Sequence, residues 1–306
     1  MQRYDPGGVE LWIKRDDLDA PSFGGNKVRA LEFLLGGVRA GHDVLTVGGL
    51  GSTHVLSTAW HARTLGARTI AVRWRHEMNP VAREVAERAG ALCARVHDTS
   101  NIASGMALAM WLRATGSRRG GPRHWVPFGG TSPLGMLGHV NAALELADQV
   151  AAGELPPPRY VVVPMGTGGT VAGLALGFRI AKLDAIVVGA RVAPRIPAQR
   201  QRLVWLARST ARLIGRMSGA QERIPTVSRS QLAIVHEVYG GAYGRTLPAG
   251  AEAAARFQGV FGARLDDTYA AKALAAALAL ARRGAGAVLY WLTFDGRWMA
   301  PDEQEP

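Results

Sequence analysis

Short apolar runs and helical stretches alternate along almost the whole chain, and this alternation constrains the fold more than any other feature. Asp43–Gly48 and Tyr160–Pro164 are short and mostly apolar, as buried strands are, whereas Thr53–Leu65 and Pro133–Ala151 show helical spacing. Consecutive parallel strands need a crossover of about a dozen residues or more, which is usually a helix. The alternation therefore predicts an α/β fold with doubly wound, mostly parallel sheets that helices cover on both faces.

The same pattern extends to both ends of the chain. Further strands are predicted at Val9–Lys14, Thr69–Trp74, Ala91–Val96, His124–Phe128, Ala185–Val192, Leu232–Val238 and Ala287–Thr293. Further helices are predicted at Asn26–Ala40, Pro80–Ala89, Thr170–Ala181 and Gln199–Arg216, followed by two alanine-rich helices. A chain of 306 residues is long enough for two domains or for one large α/β unit.

Composition excludes several classes of protein. Hydrophobic residues make up 48% of the chain and charged residues 20%, which excludes a disordered protein. The net charge of +12 comes from arginines scattered along the chain, so no nucleic-acid-binding stripe is predicted. The single cysteine, Cys93, excludes an intrachain disulfide, and His54 and His61 lack a carboxylate companion for a metal. Without a signal pattern or an apolar stretch near the roughly 18 residues of a membrane span, we expect a cytoplasmic protein with no membrane partner.

A glycine-rich turn is the strongest local signal. The segment GTGGT follows an apolar strand and opens a helix. Its residues are Gly166, Thr167, Gly168, Gly169 and Thr170. Glycines let the backbone approach an oxyanion closely, and the free N–H groups at a helix start bind phosphate. The spacing matches neither a Walker A loop nor a dinucleotide fingerprint, so it favours an anion site over a plain tight turn without naming the ligand.

A lysine follows two glycines at the start of a predicted helix. In the segment FGGNKVR, Lys27 comes after Asn26 and precedes apolar residues. A lysine that is partly desolvated near helix N–H groups has a lowered pKa and becomes nucleophilic or basic. The alternative is a solvated surface lysine. Composition weakens it, because only four of the 36 basic residues are lysines and arginine cannot supply an imine-forming amine.

Three further places carry polar side chains in loops. Ser52 and Thr53, in the segment GGLGSTH, either cap the following helix or face a ligand at the strand ends. Tyr243 and Tyr269 lie in predicted loops. Such tyrosines are more often packing residues with a satisfied hydroxyl than acids or bases.

Taken in chain order, these segments resemble the D-cysteine desulfhydrase and 1-aminocyclopropane-1-carboxylate (ACC) deaminase family. The matching stretches are Leu11–Asp17 (LWIKRDD), Gly24–Glu32 (GGNKVRALE), Val126–Ala143 (VPFGGTSPLGMLGHVNAA), Met165–Gly177 (MGTGGTVAGLALG), Gly240–Gly244 and Leu265–Leu274. Members of this family use pyridoxal 5'-phosphate (PLP) and have the two-domain, tryptophan-synthase-β-like fold known as fold type II. The resemblance covers essentially the whole chain.

The resemblance implies a role for each candidate residue. Lys27 would be the Schiff-base lysine, and Gly166–Thr170 with Asn26 would hold the cofactor and its phosphate. Ser52, Thr53 and His54 would face the phenolic oxygen of the cofactor and the substrate carboxylate. Tyr269 and Tyr243 would lie near the reacting carbon. Thr293 would lie beside the pyridine nitrogen, where a neutral hydroxyl favours elimination over transamination.

The resemblance also implies an architecture and a reaction. We expect a larger PLP-binding domain from residues 1–40 and 145–306, a smaller domain from 41–144, and a homodimer. The expected reaction is the α,β-elimination of a small amino-acid substrate to a 2-oxo acid and ammonia. The alternatives are a β-replacement synthase of a biosynthetic pathway and a non-catalytic relative that binds PLP or phosphate.

Four departures from the family pattern bear on the reaction. Thr53 replaces the usual asparagine, and Phe294-Asp295 replaces two glycines. ACC deaminases carry glutamate at the position of Ala270 and leucine at that of Thr293. The last two differences favour a desulfhydrase-like enzyme over an ACC deaminase, whereas the first two favour a changed substrate or a weakened enzyme.

Overall fold

The computed structural model describes residues 1–5, 8–116, 123–194, 199–219, 224–284 and 286–299. Its strands are β1 (Gln2–Tyr4), β2 (Leu11–Arg15), β3 (Asp43–Gly49), β4 (Arg68–Trp74), β5 (Arg95–Thr99), β6 (His124–Val126), β7 (Tyr160–Met165), β8 (Ile186–Arg191), β9 (Leu232–Val235) and β10 (Val288–Leu292). Its α-helices are α1 (Asn26–Leu34), α2 (Thr53–Thr64), α3 (Pro80–Leu92), α4 (Ile102–Ala114), α5 (Pro133–Ala151), α6 (Gly169–Ile180), α7 (Arg200–Ser218), α8 (Pro248–Phe261) and α9 (Ala270–Ala281).

The strands form two sheets. The larger has the order β1-β2-β10-β7-β8-β9, and only its edge pair β1–β2 is antiparallel. The smaller has the order β5-β4-β3-β6 and is parallel throughout. The predicted α/β class with mostly parallel sheets is therefore confirmed.

Alternating side chains of the larger sheet enter two different cores. Val161 and Trp291 pack with apolar residues of α5, α6 and α7 on one face. Val162 and Tyr290 pack with α8 and α9 on the other, in a cluster that also takes in apolar side chains of α2 and α3. Because successive residues of a strand point to opposite faces, both faces of the sheet are covered. The strand ends therefore remain as the edge where a site can form.

Several predicted boundaries differ from the structure. The strand predicted at Ala91–Val96 was wrong: α3 continues to Leu92, because its buried stripe of Val81, Val85 and Ala89 extends into that turn. Helix α1 ends at Leu34 instead of Ala40, since two glycines follow at 36 and 37.

Helix α4 and strand β1 were missed. Helix α4 is apolar on both its faces, and so shows no helical periodicity. Strand β1 has only three residues. None of the described helices is long and apolar enough to cross a membrane.

Candidate active site

The turn that carries Lys27 lies on the end of strand β10. Helix α1 begins at Asn26, and the Asn26 N–H donates to the Thr293 carbonyl (3.2 Å). Gly25 precedes the helix with φ of +107°, a conformation that favours glycine, and a Cβ there would clash with the same carbonyl. The two glycines thus let the backbone approach β10, which brings Lys27 beside Thr293.

Lys27 lines a small cavity between the two sheets. Thr53 at the start of α2 and Thr293 line the same cavity, together with Phe23, Gly24, Leu56, Ser57, Phe294, Asp295 and Trp298. Burial lowers the pKa of Lys27 to about 8, against the opposing influence of the Asp266 carboxylate. The amine is not a solvated surface group, and an appreciable fraction of it is unprotonated near neutral pH.

The glycine-rich turn has the geometry of an anion site. Gly168 precedes α6 with φ of +86° and provides no side-chain cap, so the first N–H groups of the 12-residue helix point into the turn without a capping partner from that residue. A Cβ on Gly169 would lie 2.7 Å from Thr131 Oγ1, and that hydroxyl is hydrogen-bonded to Thr167 Oγ1 (2.6 Å). Close backbone packing and neutral hydroxyl neighbours therefore shape the turn.

A hydrogen-bonded chain joins the two turns. Asn26 Nδ2 donates to Thr170 Oγ1 (2.8 Å), which is also 3.3 Å from His139 Nε2. Burial and the nearby charges of Lys27 and Arg29 lower the pKa of His139 to about 3, so the imidazole is neutral. The residue next to Lys27 thus touches the glycine turn directly.

The segment Ser52–His54 faces the same region. The Ser52 side chain makes no capping bond to α2, so the cap interpretation is not what the structure shows. Ser52 is buried, and a Cβ on Gly48 would lie 2.7 Å from its Oγ. His54 Nε2 lies 3.2 Å from Thr46 Oγ1, and burial and the charge of Lys27 lower the pKa of His54 to about 3. His54 is therefore a neutral group close enough to feel Lys27.

The two candidate tyrosines form a pair over the glycine turn. Their hydroxyls are 2.7 Å apart, and the Tyr269 ring packs on Gly166, where a Cβ would lie 3.3 Å from it. Burial raises the pKa of Tyr269 to about 12 and that of Tyr243 well above its ordinary value. Both phenols are therefore protonated donors at neutral pH. Tyr243 reaches the turn through Tyr269, and its ring also packs edge-on against His76.

Some residues around the site did not stand out in the sequence. Thr131 and His139 lie within the stretch Val126–Ala143, and the double glycine before Thr131 was their available signal. Asp266 accepts the N–H groups of Tyr269 (2.6 Å) and Ala270 (3.0 Å) and so fixes the start of α9. Acidic residues before a helix are an ordinary capping signal. Asp295 gives no local signal at all.

These residues fit PLP at both of its ends. The turn Gly166–Thr170 offers N–H groups and hydroxyls for a phosphate, and Lys27 offers a partly buried amine with a lowered pKa for an aldehyde. Thr53 and Thr293 line the cavity beside that amine. In the part of the chain that the structure describes, no group of three or more histidine, cysteine or acidic side chains could hold a metal ion.

Comparisons with known proteins agree with this arrangement. The family model for pyridoxal-phosphate-dependent enzymes matches residues 4–293. Nocardicin C-9' epimerase of Nocardia uniformis subsp. tsuyamanensis is 36% identical, over 92% of this chain and 85% of that protein. D-cysteine desulfhydrase of Salmonella choleraesuis is 31% identical, over 88% of this chain and 80% of that protein. The crystal structure of an ACC deaminase homologue is 30% identical and superposes with a TM-score of 0.77, covering 94% of this chain and 85% of that one.

The comparisons confirm the predicted family, fold type II, PLP as cofactor and the enzyme class of a PLP-dependent lyase or deaminase. They carry no residue roles, so the assignment of individual side chains stays a prediction. The chain belongs to the family of pyridoxal-phosphate-dependent enzymes.

Proposed function

We propose that this enzyme removes the α-proton of a small amino acid, eliminates its β-substituent and yields a 2-oxo acid and ammonia, with D-cysteine as the first substrate to test. The observation that carries the proposal is the Lys27 amine. It is partly buried, its pKa is lowered to about 8, and its neighbour Asn26 is hydrogen-bonded to Thr170 of the glycine turn. Such an amine can anchor an aldehyde and act as a base.

PLP, when bound, withdraws electrons from the α-carbon of an amino acid joined to it. The N–H groups at the start of α6, with Thr167 and Thr170, hold its phosphate, and Lys27 holds its aldehyde end. Once substrate has displaced Lys27, the unprotonated Nζ accepts the α-proton. Thr293 offers a neutral hydroxyl beside the pyridine nitrogen, and a neutral nitrogen favours elimination.

The remaining candidate residues act on the substrate. Ser52 and the N–H groups at the start of α2 bind the substrate carboxylate, because a helix N-terminus favours an anion. Thr53 and His54, both neutral, face the phenolic oxygen of the cofactor. The Tyr269 hydroxyl, protonated and paired with Tyr243, donates a hydrogen bond to the departing thiolate.

A second candidate is epimerisation at the α-carbon, favoured by the relative named as an epimerase at 36% identity. Both reactions begin with proton removal by Lys27. They differ in the next step: elimination expels a β-substituent, whereas epimerisation returns a proton to the opposite face.

One assay separates these reactions. The purified protein is incubated with D-cysteine, L-cysteine, D-serine or ACC in D₂O, and ketoacid, chirality and α-deuterium are measured. Ketoacid from D-cysteine supports elimination. Deuterated amino acid of both configurations without ketoacid supports epimerisation. A protein with neither activity, and with no change in its visible absorption on adding amino acids, contradicts both candidates and favours a non-catalytic relative.

Three further features stay predictions from the family resemblance: a homodimer, a cytoplasmic location, and the division into residues 1–40 with 145–306 and residues 41–144. Light scattering of the purified protein tests the first. Limited proteolysis near residues 41 and 144 tests the last, because domain boundaries lie in exposed linkers that are cleaved first.

A further inference from the structure

Asp295 stands where the family resemblance leads one to expect glycine, and the structure gives it four hydrogen bonds. Its side chain is 3% exposed. Oδ2 accepts the Gly24 N–H (3.0 Å) and Arg297 Nη2 (2.8 Å), and Oδ1 accepts the backbone N–H and Nε of Arg297 (3.0 and 2.8 Å). A buried carboxylate is stable when hydrogen bonds and a counter-charge satisfy it, as they do here.

Arg297 extends this contact to the segment before Lys27. Its Nη2 also donates to the carbonyl oxygens of Asp17 (2.7 Å) and Ala20 (2.8 Å). Together, Asp295 and Arg297 hold the chain at residues 17, 20 and 24. The segment from Asp17 to Gly24 leads straight into the turn that carries Lys27.

The backbone around these contacts has no room to adjust. A Cβ on Gly24 would lie 2.6 Å from the Asp17 carbonyl oxygen, and one on Gly296 would clash with the Arg264 carbonyl. Phe294 also forms an isolated antiparallel bridge with Gly25. A rigid pair of turns transmits the position of Asp295 to Lys27, three residues beyond Gly24.

We propose that Asp295 and Arg297 are positioning residues for Lys27, clamping the turn before it so that its amine meets the aldehyde carbon of PLP. The proposal rests on the role proposed above for Lys27. It replaces the idea that Phe294-Asp295 simply adds bulk near the cofactor: the pair takes over a structural task for which paired glycines have no side chain.

The test compares two ligands that share the phosphate but not the imine bond. Kd values for PLP and for pyridoxamine 5'-phosphate are measured on the cofactor-free full-length protein for wild type, Asp295→Ala, Asp295→Asn and Arg297→Gln. Asp98→Asn is the matched control, because Asp98 forms a comparable two-bonded pair with Arg73 in the smaller sheet. Thermal unfolding of each variant confirms that it is folded.

We expect Asp295→Ala to raise the Kd for PLP about tenfold, the loss of one buried hydrogen-bonded group, with less than about a twofold change for pyridoxamine 5'-phosphate. Asp295→Asn, which keeps an acceptor for Gly24, should lie between wild type and alanine. Equal weakening of both ligands, or no change in either, overturns the proposal. A wild-type protein whose Lys27 forms no imine with PLP overturns the proposed function instead, so the two failures are distinguishable.

Discussion

The two turns proposed to hold PLP are built from opposite kinds of side chain. Around the Lys27 turn, Asp19 accepts the Gly25 N–H (2.9 Å), Asp295 accepts the Gly24 N–H, and both pair with arginines: Asp19 with Arg29 (3.3 Å) and Asp295 with Arg297. Around the turn Gly166–Thr170, the contacts come from neutral hydroxyl, amide and imidazole groups.

The difference reflects the ligand group that each turn has to bind. A carboxylate beside Gly166–Thr170 would repel a phosphate, whereas neutral groups leave the positive end of α6 free to attract it. Near Lys27, carboxylates are tolerated because arginines and backbone N–H groups occupy them. The pKa of Lys27 is therefore set by burial, with only the more distant Asp266 opposing it.

Removing the amine is the most severe way to break this arrangement. Lys27→Ala should lower turnover by about 10³-fold or more, because a positioned base alone contributes about 10²–10⁴-fold and the covalent anchor is lost as well. Ketoacid formation and visible absorption of bound cofactor are the measurements. The exposed Lys182→Ala is the control and should behave as wild type. Full activity in Lys27→Ala contradicts the assignment.

Breaking the tyrosine pair leaves both turns intact. Tyr269→Phe removes the 2.7 Å bond to Tyr243 and should lower kcat by about 10- to 100-fold, the effect of one buried hydrogen bond in the transition state. The Kd for PLP should stay unchanged. Tyr4→Phe, which removes a buried hydroxyl remote from the site, is the matched control. If Tyr269→Phe keeps wild-type kcat, the phenol plays no part in the reaction.

The glycine turn is tested by two substitutions with the same backbone strain. Gly168 and Gly262 have φ of +86° and +66°, and each alanine variant should lose about 1–2 kcal/mol of unfolding free energy. Only Gly168→Ala should also raise the Kd for PLP, by about tenfold, since Gly262 follows α8 in open space. Equal PLP affinity in the two variants would show that the turn does not bind the phosphate.

The smallest expected effect is one of pH. An unprotonated amine attacks an aldehyde, and burial lowers the pKa of Lys27 to about 8, below its ordinary value. The rate at which cofactor-free protein captures PLP should therefore rise about fivefold from pH 7 to pH 8 and level off above pH 9. Stopped-flow absorbance measures it, with free lysine as the control. A rate still rising steeply at pH 10 would mean that the amine is solvated.

Local chemistry made much of the fold and part of the site predictable. Apolar runs such as Tyr160–Met165 are long enough to identify buried strands, and helix α5 was predicted with its observed bounds. The two anchors of PLP were predictable because each depends on neighbours in the chain: glycines before Lys27, and glycines before helix α6.

Contacts between distant parts of the chain were not predictable. Gly24 and Asp295 are 271 residues apart, and Asn26 and Thr170 are 144 apart, so no window of sequence contains both partners. Helix α4 was missed because apolar residues on its solvent face hide the periodicity. A single sequence gives no sign of which loops fold onto one another at the sheet edge.

The central claim is tested most directly by locating the covalent bond to PLP. The PLP-loaded protein is reduced with borohydride, digested, and its peptides are mapped by mass spectrometry across the four lysines of the chain, Lys14, Lys27, Lys182 and Lys272. A single pyridoxyl group on Lys27 is the predicted result. A pyridoxyl group on the buried Lys272 or on another lysine, with Lys27 unmodified, would contradict the account.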